Sequence, residues 1–174
     1  MKARCPWLVG LVIITGVGCA FYLNRRYYDL LVRSRYECPM RLTGLWLAIG
    51  AQRDGEGSYP TNLSFAAEAF TPSPSKKRLH LHPLLCSGTE TEWGPPTKAD
   101  QWSDYLYVNW SKWFPGSNAV PDGFPLVYDR RLSNHSEKGI YVLRTDGSIL
   151  WDGGARWLRT FAEAHTNFQI PLPE

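Results

Sequence analysis

The sequence predicts an α+β fold: a long N-terminal helix packed on a small antiparallel β-sheet, with a short C-terminal helix. Three observations predict it. Apolar residues recur at helical spacing in the first third of the chain, at Tyr27, Leu30, Leu31, Leu42, Leu45, Trp46 and Ile49, with charges between them. The second half changes to short β-type runs bounded by Gly, Pro, Asn and Asp. Asp146-Gly147 separates two of those runs, and Asp-Gly readily takes the positive φ values of a tight hairpin.

At 174 residues, with 44% hydrophobic and 20% charged residues, the chain has room for one core and a small addition. Lys and Arg number 19 against 16 Asp and Glu, and no basic stripe interleaves with aromatics, which argues against nucleic acid as a partner. An aromatic share of 14% excludes disorder, while 15 Gly and 13 Pro imply many turns.

The first element expected is a membrane anchor over residues 1–24, followed by a domain over 25–174. After Lys2 and Arg4, the run from Pro6 to Leu23 carries no charge and contains Trp7, Leu8, Val9, Leu11, Val12, Ile13, Ile14, Val17, Phe21, Tyr22 and Leu23. As a helix it reaches roughly 27 Å, close to a hydrocarbon core of about 30 Å, with Trp7 and Tyr22 at interfacial depth. Membrane lipid is therefore an expected partner. A cleaved signal is the competing reading, since Gly16-Val17-Gly18-Cys19 faintly matches a lipoprotein cleavage site. Arg25, Arg26, Arg33 and Arg35 oppose Lys2 and Arg4 under the positive-inside rule, so charge leaves orientation open.

The helix is expected to continue towards residue 53, with a break or kink at Cys38-Pro39, and to stop at Asp54-Gly55-Glu56-Gly57. Asn62 can cap a short helix through Phe70, ended by the Pro-Ser loop from Thr71 to Ser75. The strands expected are Leu79 to Leu85, Tyr105 to Trp110, Phe124 to Tyr128, Ile140 to Arg144 and Ser148 to Trp151. A terminal helix is expected from Ala155 to His165, with Trp157, Leu158, Phe161 and Ala162 inward.

Cys38 and Cys86 are the only cysteines beyond the anchor. A disulfide between them requires an oxidising compartment; two buried free thiols are the other reading. His80 and His82 alternate in an expected strand and share a face with metal-ligand spacing; two ligands do not make a site, with His135 they could make a trio, and an ordinary surface face is the favoured reading. Asp146 has no carboxylate cluster around it to complete a calcium site, which favours a turn role. No Gly-x-Ser-x-Gly, His-Glu-x-x-His or phosphate-binding Gly loop occurs, so no catalytic residue, cofactor or small-molecule substrate is assigned. Trp93, Trp102, Trp110 and Trp113 form a group that either packs a core or, on loops, binds a glycan or protein ligand. The second possibility gives an alternative function, a cell-envelope binding module tethered by the N-terminal helix or a lipidated Cys19.

Cys38 to Ala48, Asp54-Gly55-Glu56-Gly57-Ser58-Tyr59-Pro60, Leu84-Leu85-Cys86, Tyr105-Leu106-Tyr107-Val108 and His135 to Asp146-Gly147-Ser148-Ile149-Leu150-Trp151 together carry a family likeness. The chain resembles the pseudopilin-like, prepilin-type proteins of planctomycetes and verrucomicrobia, which end in a domain named for a His followed by an Asp-Gly turn. His135, Asp146 and Gly147 stand at the positions of that motif. The resemblance implies a pilin-like fold whose helix has its first half in the bacterial inner membrane and its head in the periplasm. It also implies a non-catalytic, single-pass protein, acting with other pilin-type proteins in or beside a type II secretion or pilus-like assembly. Two departures stand out. Thr15 occupies the place of the prepilin Glu, and ten residues separate His135 from Asp146 where the family has nine.

Overall fold

In a computed structural model, the structure describes residues 6–70, 82–89, 91–115, 120–135 and 137–174; within the first helix, side chains are described for 18–20, 22–25 and 35–56. Helix α1 spans Pro6–Glu56, α2 Ser64–Ala69, α3 Ala99–Trp102 and α4 Arg156–Ala164. Strands β1 (Tyr105–Tyr107), β2 (Pro125–Asp129), β3 (Gly139–Arg144) and β4 (Ile149–Gly153) form one antiparallel sheet in the order β1-β2-β3-β4. Short 3-10 turns at Pro96–Lys98, Trp110–Lys112 and Leu132–Asn134 connect them.

The pilin-like fold with a membrane-spanning helix is corrected by this structure. The fold is a small α+β one, but among the described residues no helix is long and apolar enough to cross a membrane. The described part of α1 is amphipathic: Cys38, Leu42, Leu45 and Ile49 are buried, while Arg35, Glu37, Arg41, Arg53, Asp54 and Glu56 punctuate the same stretch. Such a density of charge is costly inside hydrocarbon. The transmembrane, single-pass reading and the inner-membrane location with a periplasmic head are overturned with it, and nothing supports the secretion terms attached to them. Of the expected anchor residues, Tyr22 and Leu23 are exposed. The side chains of Trp7, Leu8, Val9, Leu11, Val12, Ile13, Ile14, Val17 and Phe21 lie outside the described residues.

Helix α1 runs unbroken through Pro39, where a break was expected. Proline removes the N–H that would bond the carbonyl of Arg35, four residues back. Tyr141 Oη, on β3, donates to that carbonyl at 3.3 Å, so the gap in the helical ladder is filled from the sheet. Thr43 Oγ1 also donates to the Pro39 carbonyl, at 3.0 Å.

The buried stripe of α1 joins Tyr105, Leu126, Val127, Tyr128, Ile140, Val142 and Leu143 of the sheet in one core. Every residue of β2 is buried, so both faces of this central strand are covered. Its register with β3 shifts between Pro125 and Val127, a bulge at the strand start where Pro, lacking a donor, is tolerated. An aromatic cluster around the fully buried Trp110 gathers Trp113, Phe114, Phe124 and Phe168 within about 6 Å between ring centres. The indole N–H of Trp110 donates to the Pro125 carbonyl at 2.7 Å, satisfying its one polar atom.

Asp146-Gly147 turns the β3–β4 hairpin, with Gly147 at φ 81°. Asp146 Oδ1 accepts from Ser148 N at 2.9 Å, an Asx turn of the kind this residue type favours. Helix α4 starts after Ala155 at φ 53°, and its first amides are taken by Asp152, whose carboxylate accepts from Trp157 N at 3.0 Å and Leu158 N at 2.9 Å. Asn62 Oδ1 accepts from Ser64 N at 2.9 Å and opens α2. The strand expected from Leu79 to Leu85 is not formed: residues 82–85 are turn, and 79–81 lie outside the described residues.

Candidate functional site

Cys38 on α1 and Cys86, on the segment 82–89, meet under the sheet, both fully or almost fully buried. Helical spacing places Cys38 on the core stripe, one turn before Leu42. Cys86 is held by Asp104, at the threshold of β1. The Asp104 carboxylate accepts from Cys86 N at 2.8 Å, from Thr91 Oγ1 at 2.6 Å and from Thr89 Oγ1, while Asp104 N donates to the Leu84 carbonyl at 3.0 Å. Ser103 Oγ donates to the same carbonyl at 3.1 Å, and the Arg41 guanidinium donates to the Leu85 carbonyl. The segment bearing Cys86 is thereby bonded both to the sheet and to the helix that bears Cys38.

The two sulfurs are 2.9 Å apart. Cys38 Sγ lies 3.5 Å from Ser87 Oγ, and Cys86 Sγ lies 3.9 Å from His135 Nε2. His135 Nε2 is 3.0 Å from Asp129 Oδ2, which also accepts from the backbone N–H of Tyr141 at 2.6 Å. Tyr141 and Trp151 enclose the imidazole edge-on, with ring centres 5.1 and 5.5 Å away. Asp129 Oδ1 is buried with no hydrogen-bond partner among the described residues.

The hydrogen bond with Cys86 pulls the Cys38 thiol down, against the effect of burial, to about 6. The same bond and burial push Cys86 up. At His135 burial alone lowers the imidazole pKa, but the hydrogen bond and charge of Asp129 outweigh it and the net direction is upward. The cluster is thus two cysteines beside a histidine that is hydrogen-bonded to the buried Asp129.

Cys38, Cys86 and His135 also present three metal-ligating atoms within 4.8 Å of one another. Two thiolates at about 2.3 Å from one tetrahedral zinc stand about 3.8 Å apart. The 2.9 Å separation lies about midway between that and the about 2.05 Å of a disulfide.

The structure separates the motif residues that the family resemblance grouped. His135 belongs to the cysteine cluster, whereas Asp146 and Gly147 form the hairpin turn, where Gly147 abuts Trp46 of α1. His82 also lies apart from His135. It sits in a turn between Trp93 and Trp102, at 5.7 and 5.2 Å between ring centres, and burial, with the charge of Arg41, pushes its pKa down to about 4. His80 lies outside the described residues. Of the Trp group, Trp110 is in the core, Trp113 packs on it, and Trp102 donates to the Pro95 carbonyl at 2.9 Å; only Trp93 is exposed. Asp129 and Asp104 were missed by sequence reasoning. The only signal for Asp129 is a carboxylate closing an apolar β-run, and for Asp104 one preceding such a run.

A second feature lies on the opposite side of α1. Tyr36, Met40 and Leu47 are 70%, 68% and 67% exposed. Their spacing places them on one helical stripe, two residues and so about 200° from the buried one. No family model matches the chain, and neither a curated protein nor a solved structure does.

Proposed function

We propose that the chain is a non-catalytic interaction module that joins a helical assembly through the outer face of α1, packing against a helix of its own kind. The observation that carries this reading is the exposed stripe Tyr36, Met40 and Leu47, three large apolar side chains in register on a helix whose other stripe is already spent on the core. Gly44 and Gly50 lie near it, and a Cβ at either would meet nothing within 4 Å, which leaves room for close backbone approach.

Sedimentation of the full chain over a wide concentration range tests it. Self-association that disappears in Tyr36→Ser/Met40→Ser/Leu47→Ser, with the near-ultraviolet circular dichroism of the core retained, is the expected result. A chain that stays monomeric throughout, or a triple variant that associates equally well, overturns it.

A further inference from the structure

We propose that Cys38 and Cys86 form a native disulfide that staples helix α1 to the 84–89 segment and, through Asp104, to the sheet. The two sulfurs face each other at 2.9 Å in a buried site. Both backbones are positioned independently of the sulfurs. Asp104 holds the amide of Cys86, and Arg41, one turn from Cys38, holds the carbonyl of Leu85. Closing the bond therefore needs a small approach of two side chains, with the segments that carry them already fastened.

The oxidation balances with an oxidant of the disulfide class, a small-molecule disulfide or the active disulfide of an oxidoreductase. One cysteine thiolate attacks a sulfur of the oxidant, forms a mixed disulfide and expels the first thiolate. The second cysteine attacks the mixed disulfide and expels the other. Two electrons pass to the oxidant, which leaves as two thiols carrying the two cysteine protons. Burial of both sulfurs places this exchange during the docking of α1 and afterwards keeps reductants away. The bond closes a loop between residues forty-eight apart in sequence, so the effect on the unfolded chain is large.

The test is the mass of the full chain equilibrated in a glutathione redox buffer, folded or unfolded in urea, then acid-quenched and alkylated in denaturant. After alkylation the folded chain is expected to carry two fewer alkyl groups than the reduced chain, one missing at each joined cysteine. A digest should join the Cys38 peptide to the Cys86 peptide, with Cys5 and Cys19 alkylated. The equilibrium constant for the bond should exceed that of the unfolded chain by at least about a hundredfold, and oxidation should raise Tm by roughly 10 °C. In Cys38→Ser/Cys86→Ser, Tm should no longer respond to reductant. Equal constants in folded and unfolded chain, a link from Cys19 instead, or a folded chain holding zinc with Cys38 and Cys86 as thiolates would each overturn it.

Discussion

Tyr141 Oη bonds the one helical carbonyl that Pro39 leaves without a donor, that of Arg35, at 3.3 Å. A strand side chain thus repairs a defect that the sequence writes into the helix, and the same tyrosine walls the cysteine cluster through His135. Tyr141→Phe should cost about 1 kcal/mol, measured by urea denaturation. Pro39→Ala restores the backbone donor, so Tyr141→Phe should cost less in that background. Strict additivity of the two changes would show that the carbonyl is not what Tyr141 serves.

Gly147 combines a left-handed backbone, φ 81°, with a hypothetical Cβ 2.8 Å from Trp46 Nε1. Gly147→Val should therefore destabilise the domain by about 2 kcal/mol or more, through backbone strain and displacement of the helix from the hairpin. Gly153→Ala, where the added carbon meets nothing within 4 Å, is the control and should change stability far less. Thermal denaturation of the two variants decides between strain and a general loss of glycine.

The His135–Asp129 pair makes stability depend on pH in a fixed direction. Because the folded pKa of His135 is raised, the folded chain holds the proton more tightly than the unfolded chain does, where histidine titrates near about 6.5. Its contribution is fully present below about pH 6.5 and is lost as pH rises through the higher folded value. With Cys38 and Cys86 joined, so that neither buried thiol titrates, unfolding free energy should fall as pH rises above about 6.5. Asp129→Asn keeps an acceptor for Tyr141 N but removes the charge, and its profile should be flatter. A wild-type stability that rises over this range would contradict the pairing.

Asp152 caps α4 with both carboxylate oxygens, at 3.0 and 2.9 Å from successive amides. Asp152→Ala should cost about 1 to 2 kcal/mol, while Asp152→Asn retains part of the cap. Hydrogen exchange would localise the loss: the first turn of α4 should lose protection before β2 does.

Local signals were legible where neighbours in sequence are neighbours in space. The β3–β4 hairpin follows from Asp146-Gly147, and the inward stripe Leu42, Leu45 and Ile49 follows from helical period, because turn chemistry and period act over a few residues. The Leu79 to Leu85 run reads as a strand, but its described part, residues 82–85, is buried as a turn under Asp104. Apolar content reports burial and leaves the backbone shape undecided.

By itself the sequence determined the α+β class, the C-terminal helix and two cysteines available to pair, since these rest on composition, period and count. Only the tertiary structure decided that α1 passes through Pro39, that the motif histidine serves the cysteines and not the Asp-Gly turn, and that Asp129 and Asp104 hold the site. Each of these depends on contacts between segments far apart in the chain. Tyr141 reaches back 106 residues to Arg35, and Cys86 lies 48 residues from Cys38, separations over which no local propensity acts.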